Sequence, residues 1–152
     1  MKIKKNKLRI NIFNNHPSTP FPVKIYRKFV EKVVAAENIT IPELNIVAVD
    51  DEYLAKLHKT YLSDSSYTDV ITFLLDDPEG AVGEIYLSID RAKHHAKIYE
   101  VGVEEEYARL IAHGLLHLKG MDDKTEADRE RMHQIENAYL EKFWKMENGV
   151  KN

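Results

Sequence analysis

Cysteine is absent from the chain. Disulfides and thiolate metal sites are therefore excluded, and any transition-metal site has to use histidine, aspartate or glutamate. The same absence fits a cytosolic protein. Long apolar runs are missing too: none approaches the roughly 20 residues a helix needs to span a bilayer, so no membrane association is expected. The basic start, Met1 to Lys7, leads into an alternating strand pattern rather than the apolar core of a secretory signal. No large charge excess is present either. The 22 basic and 25 acidic residues leave a net charge of −3, which argues against bulk electrostatic attraction to nucleic acid. Repeats, linkers and low-complexity segments are lacking. The 152 residues are thus expected to form a single domain, 1–152, with a substantial core.

What charge there is lies unevenly. Lysine and arginine gather at 2–9, at Lys24, Arg27, Lys28 and Lys32, and at Arg91, Lys93 and Lys97 beside His94 and His95. Acids gather at 104–106 and 126–136. These clusters read either as solvated helix faces or as a phosphate-binding surface.

Hydrophobic periodicity gives the element order. Leu8, Ile10 and Ile12 alternate with polar residues as a half-buried strand does. Prolines 17, 20 and 22 mark a loop, and a helix is expected over 23–37. A β-branched run at 44–49 is a second strand. Asp50 or Asp51 can cap a helix to about residue 62, with Tyr53, Leu54, Leu57 and Tyr61 turned inward. After a turn cluster at 63–66, residues 68–73 and 82–89 read as two strands joined by the turn 76–80, an antiparallel hairpin. In the second of them Ile85, Leu87 and Ile89 face one way and Glu84, Tyr86 and Ser88 the other. Asp90 can cap a helix over 91–100, and Gly102 separates it from the next. Thr125 and Asp128 resemble a capping box opening a last helix to about residue 146, with Met132, Ile135, Tyr139 and Phe143 as its apolar stripe. Strand, helix, strand, helix, hairpin and three helices argue an α/β or α+β fold, a mixed sheet of about four strands covered by helices.

The chemistry concentrates in Ala112-His113-Gly114-Leu115-Leu116-His117-Leu118-Lys119-Gly120-Met121-Asp122-Asp123. On a helix, His113 and His117 lie one turn apart on one face and can reach one metal ion. Gly120 can end the helix in a left-handed conformation, and the reversed chain can bring Asp123 back as a third ligand. Two histidines and a carboxylate leave a fourth position open, the pattern of a catalytic zinc site. The bland alternative is a chance histidine pair on a packing face. The apolar neighbours Leu110, Ile111, Leu115 and Leu116 weigh against it, because a partly desolvated histidine needs a partner. The spacing also matches zinc proteases of the metzincin type, but those need a glutamate directly after the first histidine as general base. Gly114 stands there instead and cannot move a proton.

The run from His113 to Asp123 resembles the signature of the YbeY family of bacterial zinc-dependent endoribonucleases. Thr68-Asp69-Val70-Ile71-Thr72-Phe73 is similar to the family's Thr-Asp-Val-Leu-Ser-Phe strand, and Gly83-Glu84-Ile85 to its Gly-Asp-Ile strand. The resemblance runs from about Leu44 to Tyr139. It implies a zincin-like metal helix, one zinc ion held by His113, His117 and Asp123, and an endoribonuclease acting on RNA. It further implies maturation of the 3′ end of small-subunit ribosomal RNA and ribosome quality control, with ribosomal partners, in the bacterial cytoplasm. The chain departs from the family at Asp123, where histidine is usual, at Leu62, where many members have arginine, and at Tyr67, a common proline. Asp122 is the rival third ligand, and Lys59, Arg91 or Lys93 could replace the lost arginine in phosphate contact. The general base is open, with Glu84 and Asp69 the candidates. Two other functions compete: a zinc hydrolase of another substrate such as a peptide, and a non-catalytic metal-binding protein of the ribosome.

Overall fold

The computed structural model describes residues 8–62 and 68–146, apart from the Leu62 side chain. The expected turn at 63–66, Tyr67 and the residues after 146 lie outside the described residues, as does the family departure at the Leu62 side chain. Four strands and five helices follow the expected order: β1 (Arg9–Asn14), α1 (Val23–Glu37), β2 (Glu43–Val49), α2 (Asp51–Leu62), β3 (Val70–Asp77), β4 (Gly80–Ser88), α3 (Ile89–Tyr99), α4 (Val103–Leu118) and α5 (Glu126–Tyr139). A π-helical segment, Leu140–Lys145, continues α5.

The sheet is mixed, in the order β1-β2-β4-β3. β1, β2 and β4 run parallel, and β3 pairs antiparallel with β4 as the far edge strand. The hairpin is tighter than the expected turn at 76–80. Asp77 already pairs with Gly80, leaving only Pro78 and Glu79 as the loop, and Gly80 takes a φ of +125° that favours glycine.

Alternation along the strands sorts the core into two layers. Leu44, Ile46 and Ala48 of β2 and Ile85 and Leu87 of β4 face α1, α4 and the π-helical segment. Val47, Val49 and Ile71, with Phe73 and Tyr86, face α2. The larger layer holds the buried aromatics, among them Trp144 stacked on Tyr26 at 5.2 Å.

Four local expectations need correcting. In α2 only Leu54 is fully buried and Leu57 packs partly, while Tyr53 and Tyr61 are 50% and 65% exposed. Those two rings lie over Tyr86 and Phe73 at the rim of the sheet instead of entering the core. Ile89 is the first residue of α3, not part of β4. Asp90 does not cap α3. Ser88 does, its hydroxyl accepting from Arg91 N–H at 3.0 Å. Asp90 instead ties three segments together, accepting from the Asp51 N–H at 2.9 Å and pairing with His16 at 2.9 Å. Finally, the stripe that α5 and its continuation bury is Met132, Glu136, Leu140 and Trp144. Ile135, Tyr139 and Phe143 are only partly buried beside it.

Helix α4 lies against β4, and two glycines allow the close approach. A Cβ at Gly114 would come within 2.8 Å of Ile85 Cγ2, and one at Gly83 within 2.9 Å of Leu118 Cδ1. The helix that carries the histidines is thereby held down on the centre of the sheet.

Candidate metal centre

Helix α4 runs through both histidines and stops where glycine permits. The Gly120 N–H donates to His117 O at 2.9 Å and the Met121 N–H to Leu116 O at 3.0 Å, with Gly120 at φ +101°. That pair of bonds is a Schellman closure, which satisfies the last carbonyls and turns the chain back. The turn then delivers Asp123 to the two rings.

His113 Nε2 and His117 Nε2 stand 3.0 Å apart, and Asp123 Oδ2 is 3.4 Å from each. These three residues form the one group among the described residues whose ligand atoms could jointly hold a metal ion. Asp122 takes no part. Its carboxylate accepts from the Lys124 N–H at 3.0 Å, folding into the turn.

The opposite edges of the rings explain why the three atoms converge. His113 Nδ1 lies 2.7 Å from Glu136 Oε2, and His117 Nδ1 lies 3.1 Å from the Met121 carbonyl. Both partners are acceptors, so each Nδ1 carries the proton and each Nε2 presents a lone pair. Two lone pairs and a carboxylate oxygen facing one another repel unless a cation sits among them. The donor set therefore fits a divalent metal, and a histidine whose far nitrogen is held by a carboxylate is a recurring metal ligand.

Glu136 was not among the expected site residues. It is buried on α5, and Arg109 of α4 holds it at 3.3 Å while also donating to Asn137 Oδ1. Burial works to lower the His113 pKa, but the Glu136 hydrogen bond and charge, with Asp69 and Asp123 adding to them, carry it above the usual histidine value.

The two candidate bases are placed differently. Asp69 lines a cavity of about 470 Å³ that His113 and Glu136 also border, and its carboxylate lies 3.7 Å from His95 Nδ1. Glu84 points to the opposite layer. Its neighbour Ile85 packs against Gly114, whereas Glu84 accepts from the Tyr86 hydroxyl at 3.0 Å on the α2 side. Of the basic residues offered in place of the missing arginine, Arg91 pairs with Asp51 at 3.3 Å at the start of α2 and Lys93 donates to Thr19 Oγ1 at 2.8 Å, while Lys59 is exposed on the last turn of α2. No helix among the described residues is long and apolar enough to cross a membrane.

The family model for Endoribonuclease YbeY matches residues 11–144. The chain is 35% identical over 136 residues to Endoribonuclease YbeY of Christiangramia forsetii, covering 88% of this chain and 94% of that one. To the protein of the same name from Cytophaga hutchinsonii it is 39% identical over 115 residues, covering 75% and 80%. Among solved structures, the solution structure of a Thermotoga maritima protein superposes with a TM-score of 0.63 over 91% of both chains at 24% identity, a likeness of fold.

Proposed function

The chain belongs to the YbeY endoribonuclease family, and from that premise we propose that it hydrolyses phosphodiester bonds of single-stranded RNA at the His113–His117–Asp123 site. The observation that carries this reading is the convergence of two lone-pair nitrogens and one carboxylate oxygen on a single point. Zinc is the ion proposed. Ligands about 2.0–2.1 Å from a tetrahedral zinc stand roughly 3.3–3.4 Å from one another, against the observed 3.0 and 3.4 Å. When bound, the ion supplies Lewis acidity toward a phosphoryl oxygen and toward water.

The protein's own residues supply the rest. Glu136 fixes the His113 tautomer and ring orientation, and Arg109 balances its buried charge. The Met121 carbonyl does the same for His117. Asp69 borders the cavity beside His113, where it can take a proton from the attacking water or from the 2′-hydroxyl of the RNA itself. Glu84, on the other face of the sheet, has no such access. A peptidase reading lacks its base at Gly114, and the Ile85 side chain fills the space that a larger residue there would need. The family supports small-subunit ribosomal RNA maturation and ribosome quality control, with ribosomal partners in the bacterial cytoplasm, as the setting of the activity.

The test is cleavage of a single-stranded RNA oligonucleotide by nuclease-free protein loaded with zinc. Cleavage is expected, together with its loss in His117→Ala and after chelation. Intact RNA with zinc bound at one equivalent would overturn the proposal, and so would cleavage that survives His117→Ala.

A further inference from the structure

Four carboxylates border the cavity beside His113, those of Asp69, Glu105, Glu106 and Glu136. Three of them have partners. Asp69 stands 3.7 Å from His95 Nδ1 and Glu105 3.7 Å from Lys145 Nζ, while Glu136 pairs with His113 at 2.7 Å and Arg109 at 3.3 Å. Glu106 is different. It is only 6% exposed, and among the described residues its side chain makes no hydrogen bond and no ion pair. Its oxygens are also absent from the partnerless polar atoms that the fold seals from solvent, so the carboxylate keeps its access to the cavity it borders. A buried carboxylate without a partner is costly, and native folds rarely keep one without another use.

Glu106 and His113 lie almost two helical turns apart on one face of α4, about 10 Å along its axis. That is about the reach of one nucleotide from its phosphate to the outer edge of its base. The rest of the wall suits a base. Tyr99, 69% exposed, and His95 present ring faces, and Val101 and Leu110 add apolar surface. The four carboxylates, with Arg109 as the one permanent cation among the lining residues, disfavour a phosphate here. A base is uncharged and carries hydrogen-bond donors on its edge, so the same wall favours it.

We propose that this cavity is a guanine-reading subsite for the nucleotide whose phosphodiester lies at His113, His117 and Asp123. The base stacks on Tyr99, and its N1–H and 2-amino group donate side by side to the two oxygens of Glu106, giving the buried carboxylate the partners it lacks. Parallel donors on a carboxylate form strong, charge-assisted bonds, and unstacked bases of single-stranded RNA are read by stacking and by hydrogen bonds to this edge. Guanine is the common RNA base with two adjacent donors there. Adenine and cytosine offer one amino group, and the two carbonyls flanking the uracil N–H are repelled. Selectivity for guanosine thus arises at one position beside the cleaved bond. The proposal rests on RNA being the substrate, and its test is kept apart from turnover.

Zinc-loaded protein is titrated by calorimetry with guanosine, inosine and uridine 5′-monophosphates and, as the probe without a base, ribose 5-phosphate. The wild type is expected to bind the guanosine nucleotide about tenfold or more tighter than the uridine nucleotide and than the inosine nucleotide, which lacks only the 2-amino group. Glu106→Gln keeps the size of the side chain and is expected to abolish that preference. A Glu106 that only fills space would move the melting temperature in this variant and leave the affinity ratio untouched, which would overturn the proposal. Tyr99→Ala, a change at an exposed ring, is the second variant. It is expected to weaken all three nucleotides about fivefold or more, with ribose 5-phosphate unaffected. In parallel, an RNA oligonucleotide carries guanosine or inosine on each side of the cleaved bond in turn. On one side inosine is expected to cost about tenfold in kcat/KM, and to cost nothing in Glu106→Gln. A protein that prefers the guanosine nucleotide and leaves RNA intact would overturn the nuclease reading and retain the subsite. Equal affinity for the guanosine nucleotide, the inosine nucleotide and ribose 5-phosphate would overturn the subsite whether or not RNA is cut. Binding of tetralysine in place of every nucleotide would overturn it too, in favour of a basic protein segment.

Discussion

Glu136 is the residue that changes the description of the site most. A carboxylate on a buried helix stripe is costly to desolvate, and here it is offset by two partners, the His113 ring at 2.7 Å and Arg109 at 3.3 Å. If it orients the metal ligand, Glu136→Gln, which keeps an acceptor but loses the charge, should weaken zinc binding about tenfold, and Glu136→Leu should weaken it further. Zinc affinity by competition with a chromogenic chelator checks this, and equal affinity in all three proteins would show that the carboxylate only fills space. Glu106 gives a second prediction. Burial raises its pKa, with Arg109 and His95 opposing and Asp69 and Glu136 adding. A carboxyl group whose folded pKa is raised contributes stability that is fully present below the unfolded value of about 4.3 and is lost as pH rises through the folded value. Glu106→Gln removes that titration. Its melting temperature should therefore gain on the wild type as pH goes from about 4 to 7, and a pH-independent difference would contradict it. Glu136 was hidden in the sequence by its charge, because Met132, Ile135, Tyr139 and Phe143 make a complete apolar stripe without it. The signal was present in the spacing: Glu136 falls four residues after Met132 and four before Leu140, on the face that is buried.

At the scale of elements, α4 and the turn behind it carry the site. His113, His117, Gly120 and Asp123 were legible as a set because helical periodicity and glycine's conformational freedom are local properties. So were the strands, β1 and β4 by alternation and β2 by its β-branched run. The α2 tyrosines were not, because a helix at the rim of a sheet shows the same apolar spacing as one in the core, and Tyr53 and Tyr61 cover the rim. Gly114 was legible only as a missing base; its positive role, a close approach to Ile85, depends on a contact distant in sequence. Alanine there gains about 1 kcal/mol of helix propensity but forces overpacking against a stiff, fully buried side chain, at about 1–3 kcal/mol. Gly114→Ala is therefore expected to lower the melting temperature despite the better helix former, and an increase would show that α4 can lift from β4 at no cost. Gly120→Ala meets no neighbour, but it strains a residue at φ +101°, at a cost of about 1–3 kcal/mol. Because the same turn delivers Asp123, this variant should lose zinc affinity as well as stability. Reduced stability with unchanged affinity would separate the turn from the site.

For the molecule as a whole, the mixed sheet keeps one layer, between the sheet and α1, for bulk apolar burial. It leaves the histidines partly exposed where α4 ends over the edge strand β3. That arrangement puts three side chains that could hold a metal ion at the rim, with one cavity bordered by His113 and another by His117. The fold class followed from element order. The pairing β1-β2-β4-β3 did not, since it places β4 between strands that precede it in the chain. The measurement that bears most directly on the whole is a zinc titration of metal-stripped protein with RNA cleavage followed at each addition. Cleavage should rise linearly and saturate at one equivalent in the wild type, and stay at the stripped level in Asp123→Ala at that same equivalent. Full cleavage before any zinc is added, or an Asp123→Ala curve that overlays the wild type, would contradict it.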